Sequence, residues 1–261
     1  MTMKKIPKEF SHGNKIITRI NNKDKKGAAL LEIYSIWKVE NEKIKGTDSR
    51  SINKKVLLLN EYKKHIGKIE STFQSKLASS VLEEFLYYLF KDFVSNLKIP
   101  RTLLGGTRAY SNLYFCPPNL KEFQDRSFIS INEKDQDFSI YRPVEIQSGN
   151  EKKLINIPLV SIECKTYLDK TMLEGSIATA EKIKLGNPYC MFLVVTETYQ
   201  VSYAVDPKYS RIDQIFVLRK DNLSNPILPD VVIHLFDAVT KHLSSQWSNI
   251  EAKIKKDGEV L

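Results

Sequence analysis

With 261 residues, 40 Lys and Arg against 31 Asp and Glu, a formal charge of +9 and a pI near 9.2, the chain is long enough for a full core and suits a polyanionic partner. Three cysteines without metal-ligand spacing (Cys116, Cys164, Cys190) and the lack of an apolar leader fit a reducing cytoplasm, and no apolar run reaches the length of a membrane span. The four histidines, His12, His65, His234 and His242, are scattered, which speaks against a zinc site or Ser-His-Asp chemistry.

Residues 1–25 are basic and polar, with Lys4, Lys5, Lys8, Lys15, Arg19, Lys23 and Lys25, and read either as an arm lying on an anionic backbone or as a solvated tail. Residues 27–45 read as a helix through Ala28, Leu30, Leu31, Ile33, Tyr34 and Trp37, whereas 56–66 are short, mixed and without a motif. From about Thr72 to Leu97 the spacing of Leu77, Val81, Phe85 and Tyr88, flanked by Leu82, Leu86, Leu89 and Phe93, predicts a buried helix. Glu83 and Glu84 inside it either need partners or form an acid pair on the outer face, and the helical wheel puts Glu84 nearer the apolar edge. The stretch Arg101–Tyr114 mixes glycines, arginines and tyrosines. It reads as a loop in which Arg101 and Arg108 meet a phosphate or a guanine edge, or more plainly as a helix exit followed by a strand.

A strand opening on an acid, Asp137–Tyr141, comes next, and then the most informative segment, Asn156–Leu168. Leu159, Val160 and Ile162 make it a strand, yet Glu163 and Lys165 follow two positions apart and so share one side of the sheet. A carboxylate and an ammonium at the end of a largely buried strand are costly to desolvate unless something uses them. Asp169 can cap a helix to about Lys184, with an apolar side of Leu173, Ile177, Ala180 and Ile183; Lys170 and Glu174 near its start face either the site, where Lys170 would contact DNA, or water. Strands at 190–195 and 214–218 precede a final amphipathic helix from Pro229 to Trp247. Helix, strand pair, helix, strands and helix predict α/β/α layers around a mixed sheet.

Asp137 and Glu163 offer hard oxygen ligands for one Mg²⁺, with the backbone carbonyl of Cys164 as a further donor, and Lys165 is the cation that orients or helps deprotonate a water. That residue set suits phosphodiester hydrolysis. As a bare pattern it also occurs by chance, the plain alternative being a solvated Glu–Lys pair on a strand end.

The runs Lys134–Ile140 and Ile162–Glu174, with the earlier Ser79–Leu86, resemble type II restriction endonucleases of the PD-(D/E)xK superfamily over about residues 70–220. Within that family the wording is most similar to the subgroup that cuts CCTNAGC-like sites. The resemblance implies a restriction-endonuclease-like α/β/α core and a sequence-specific, Mg²⁺-dependent nuclease acting on double-stranded DNA. Residues 1–66 would be a basic, helical addition with DNA contacts, and 67–261 the nuclease domain. It implies Asp137, Glu163 and Lys165 as the catalytic set and favours Glu83 as an added metal ligand. A homodimer is expected, or a heterodimer where the site is asymmetric, together with a cognate DNA methyltransferase. Gln136 stands where many members carry proline, which leaves Asp135 as a competitor of Asp137. Two other functions fit the same residues: a repair or branched-DNA nuclease of this superfamily, and a DNA-binding protein without catalysis.

Overall fold

The computed structural model describes residues 3–70, 76–124, 128–148, 151–247 and the single residues 251, 254, 255 and 258. In chain order the elements are α1 (Ser11–Asn21), α2 (Gly27–Lys43), α3 (Ser49–Ile69), α4 (Lys76–Asn96), β1 (Leu103–Phe115), α5 (Leu120–Phe123), β2 (Ile129–Ser148), β3 (Glu151–Leu168), α6 (Lys170–Gly186), β4 (Met191–Tyr199), β5 (Gln214–Val217) and α7 (Pro229–Ser244).

The strands form one mixed sheet in the order β1-β2-β3-β4-β5, antiparallel through β3 and parallel from β3 to β5. Alternation along the strands feeds two cores. On β3, Val160, Ile162 and Cys164 join Leu193 and Val195 of β4 in the core beneath α4 and α7, while Phe192 and Val194 of β4 enter a second core with Leu173, Ala180 and Ile183 of α6. The architecture is therefore α/β/α around a mixed sheet, as expected.

Four sequence readings need correction. Residues 1–25 are neither arm nor tail throughout, because α1 buries His12, Ile16 and Ile17, an apolar spacing masked by the surrounding lysines. Residues 56–66 belong to the 21-residue helix α3, whose Val56, Leu59, Tyr62 and Ile66 lie at helical intervals in the core. Stretch 101–114 is not a loop throughout but matches its plainer reading, a helix exit followed by a strand, β1 from Leu103 onward. Gly105, at φ +119°, and Gly106 accompany a register shift against β2. Asp137 does not open a strand but lies inside the 20-residue β2.

The helix foreseen from Thr72 is described from Lys76, Thr72 lying outside the described residues. The final helix stops at Ser244, and Trp247 instead folds back, its indole N–H donating to the His242 carbonyl at 2.7 Å. Helices α1 to α3 share one continuous core with α4, the sheet and α7. Among the described residues, no helix is long and apolar enough to cross a membrane.

Candidate active site

The paired register of β2 and β3 ends at Phe138↔Ile162, and the next residues on the two strands are Asp137 and Glu163. There Asp137 Oδ2 accepts the backbone N–H of Cys164 at 2.9 Å, taking over an amide that the ladder has released. Glu163 Oε2 lies 3.1 Å from Lys165 Nζ, and Asp137 Oδ2 lies 3.9 Å from the same ammonium. Two carboxylates from adjacent strands thus converge on one cation.

The α6 helix completes this arrangement. Asp169 caps it by accepting the Met172 N–H at 2.8 Å, as expected, and this seating brings Ser176, fully buried, against β3. The Ser176 hydroxyl donates to Glu163 Oε2 at 2.6 Å. Sequence reasoning missed this serine, although a polar residue seven positions after the cap, on the stripe of Leu173 and Ala180, was a readable signal.

The two glutamates of α4 separate cleanly. Glu84 is fully buried and structural: it accepts from the Gly13 N–H at 3.0 Å and from the hydroxyls of Tyr34 and Tyr88 at 2.9 and 3.1 Å. Glu83 turns the other way, bonded to Lys15 Nζ at 3.0 Å, and its charge interacts with that of Asp137. Asp135 is exposed, whereas Asp137 is the aspartate beside Lys165. Gln136 is buried, its amide nitrogen donating to the Asp135 carbonyl and its Oε1 without a partner.

Burial raises the Asp137 carboxyl above the ordinary range, against the pull of Lys165 and of the Cys164 amide. Burial also raises Glu83, against Lys15. For Lys165, burial disfavours the charge but Glu163 and Asp137 outweigh it, so its pKa is raised and it stays an ammonium at neutral pH. As placed, Lys165 is an electrostatic and hydrogen-bonding group rather than a free base. The Cys164 thiol is buried in the core and held well above its usual pKa, which leaves its backbone carbonyl as the donor to consider.

The arginines and lysine expected to touch DNA are all exposed. Arg108 pairs with Glu133 at 3.2 Å on an exposed stretch of β1, Arg101 sits exposed in a turn at φ 60°, and Lys170 points to water beside Glu174.

Among the described residues, no group of three or more His, Cys, Asp or Glu is assembled as a metal cage. The donor set is nevertheless of the type a small hard cation takes. Two carboxylates already share one positive charge, and Mg²⁺ ordinarily uses one or two protein carboxylates and fills its other positions with water and phosphate oxygens. The donors present therefore fit the ion.

The model of the Bpu10I restriction endonuclease family matches residues 74–224, more than half of the chain and the whole span from α4 to just beyond β5. A comparison with curated proteins returns no match. Among solved structures, the native BbvCI A2B2 tetramer at low resolution superposes with a TM-score of 0.70 at 18% identity, covering 92% of this chain and 98% of that one. At that identity the likeness is one of fold.

Proposed function

Since the chain belongs to the Bpu10I restriction endonuclease family and is a type II site-specific endonuclease, we propose that Asp137, Glu163 and Lys165 are its catalytic residues and that it cleaves double-stranded DNA with Mg²⁺. The observation that carries this reading is the convergence of both carboxylates on the Lys165 ammonium where β2 and β3 part.

Asp137 and Glu163 would hold the ion, with the Cys164 carbonyl as a further donor and Glu83 adding charge from α4. A bound Mg²⁺ supplies Lewis acidity at the phosphate and acidifies a water. Lys165 offers its N–H donors to the non-bridging oxygens, where charge grows during displacement, and to the attacking water. Ser176 holds Glu163 in its rotamer, and the Cys164 amide does the same for Asp137. Arg101, Arg108 and Lys170 would contact the DNA backbone, and the net charge of +9 supports a long-range attraction to it. A division between an N-terminal addition, residues 1–66, and a nuclease domain, residues 67–261, is part of the same reading.

Cutting two strands calls for two such sites, so a homodimer or heterodimer is proposed, and the A2B2 assembly of BbvCI supports it. A cognate DNA methyltransferase and a cytoplasmic location complete the proposal. The test is cleavage of plasmid DNA with Mg²⁺, Mn²⁺, Ca²⁺ or excess chelator. Discrete fragments with Mg²⁺ or Mn²⁺, together with binding but little cutting in Ca²⁺, are expected. Full digestion in chelator would overturn the site as drawn.

A further inference from the structure

We propose that Lys15, on the N-terminal helix α1, is a positioning residue of the catalytic centre that holds the Glu83 carboxylate in place. The inference rests on the reading of Glu83 and Asp137 as part of the metal site. Lys15 lies on α1, well outside residues 74–224, the span that matches the family model.

The contact is direct: Lys15 Nζ donates to Glu83 Oε1 at 3.0 Å, with Glu83 nearly buried and the stem of Lys15 half covered. The register that brings the two together is fixed at three other points. His12 bonds the Ser80 hydroxyl at 2.9 Å and the Tyr62 hydroxyl at 2.7 Å, and the Gly13 N–H donates to Glu84 at 3.0 Å. Residues 12, 13 and 15 of α1 therefore engage residues 80, 84 and 83 of α4. α1 is held as closely against α2, where a Cβ on Gly13 would lie 2.4 Å from the Tyr34 hydroxyl. A helix docked this tightly presents its lysine to Glu83, an acid whose charge interacts with that of Asp137. The Lys15 charge is also felt at Asp137, where it opposes the effect of burial.

Acids are otherwise in excess here: Asp137, Glu163 and Glu83 face Lys165 and Lys15. A carboxylate left without a counter-ion at the rim of such a cluster would swing away from its neighbours toward water. An ion pair from a fixed helix prevents this.

Two explanations of Lys15 differ in sign. If the lysine is only a nearby positive charge, its removal should tighten cation binding. If it positions Glu83, removal should weaken it. The experiment titrates the protein–DNA complex with Ca²⁺ and measures single-turnover plasmid cleavage in Mg²⁺, for wild type, Lys15→Met, Lys15→Arg, Glu83→Gln and Lys15→Met/Glu83→Gln, with melting followed on the same preparations. The expected result is a loss of ~10-fold in Ca²⁺ affinity and in cleavage rate for Lys15→Met, the size typical of groups that orient a ligand. Recovery by Lys15→Arg is expected, as is a double variant no worse than Glu83→Gln alone. Tighter Ca²⁺ binding by folded Lys15→Met, or losses that multiply in the double variant, would overturn the proposal. Wild-type behaviour of Glu83→Gln in both measurements would instead remove Glu83 from the site, and the proposal with it. Should Lys15→Met not fold, Lys15→Gln and the Arg variant carry the same comparison.

Discussion

Ser176, on the buried face of α6, donates its hydroxyl proton to Glu163 on β3 at 2.6 Å, which joins the helix after the Glu-x-Lys strand to the strand's own carboxylate. The bond leaves Glu163 with one oxygen on the serine and Lys165, and it limits rotation of a side chain that would otherwise lose rotamer entropy on binding a ligand.

Ser176→Ala is therefore expected to lower cleavage by ~10-fold, as loss of an orienting partner usually does. Melting should stay within a degree or two of wild type, since alanine is the better helix former and the site is small. Simultaneous thermal destabilisation and unchanged cleavage at permissive temperature would show that the serine serves only packing.

A second pair of variants distinguishes the two aspartates of β2. Asp137→Asn keeps the shape and an oxygen for the Cys164 amide but removes the charge beside Lys165, so cleavage should drop at least ~10²-fold, the scale of a lost electrostatic group in a site of this kind. Metal-free DNA affinity should hold or rise, because a negative charge near the phosphate has gone. Asp135→Asn, at an exposed position, should change the rate little. Equal losses in the two variants would argue that both aspartates meet the ion.

The Glu-x-Lys strand, the capped helix after it and the layered architecture were legible because each rests on local periodicity: alternation along 156–168, an Asp cap at 169, and broad apolar stripes on α4 and α7. What was not legible depends on pairing across the chain. The long β2 carries Ser130, Asn132, Lys134, Asp135 and Gln136, a polar run that gives no strand signal by itself and is held by its pairing with β1. Likewise, α3 is lysine-rich and α1 follows a lysine-rich segment, so their buried faces stand out only when they are laid against α2 and α4. The choice between Glu83 and Glu84 needed the register of α1, because adjacent helical residues differ by ~100° in direction.

The same long-range logic hides a buried ion cluster. Glu197 of β4 is almost fully buried and receives Lys63 Nζ of α3 at 2.5 Å and Arg219 Nε at 2.7 Å. Removing the carboxylate leaves two buried cations facing each other. Glu197→Gln should therefore cost roughly 3–5 kcal/mol, as breaking a buried pair does. The prediction is a clear drop in chemical-denaturation stability, with cleavage retained by whatever stays folded at low temperature, because the cluster lies on the sheet face opposite Glu163. A stability within error of wild type would mean that water reaches the pair.

The last prediction concerns pH and two groups packed in one helical layer. Burial lowers the His12 pKa from 6.5 to about 3, helped by Lys63 and Lys15, so the folded protein favours the neutral ring. Burial raises Glu84 from 4.5 to about 7, against the Gly13, Tyr34 and Tyr88 hydrogen bonds, so the folded protein favours the neutral carboxyl. The depressed histidine contributes stability that is present above pH 6.5 and is lost as pH falls toward 3. The raised glutamate contributes stability that is present below pH 4.5 and is lost as pH rises through 7. Between 4.5 and 6.5 the two slopes oppose each other, and wild-type stability should be flatter there than either group alone would make it. His12→Gln removes the rising contribution, so its melting temperature should fall with pH across this window. Glu84→Gln removes the falling one, so its melting temperature should rise. Both substitutions disturb hydrogen bonds and will lower absolute stability, which is why the sign of the slope, measured by thermal melting at constant ionic strength, is the readout. Parallel pH profiles for wild type and both variants would show that neither group changes its protonation between the folded and unfolded states.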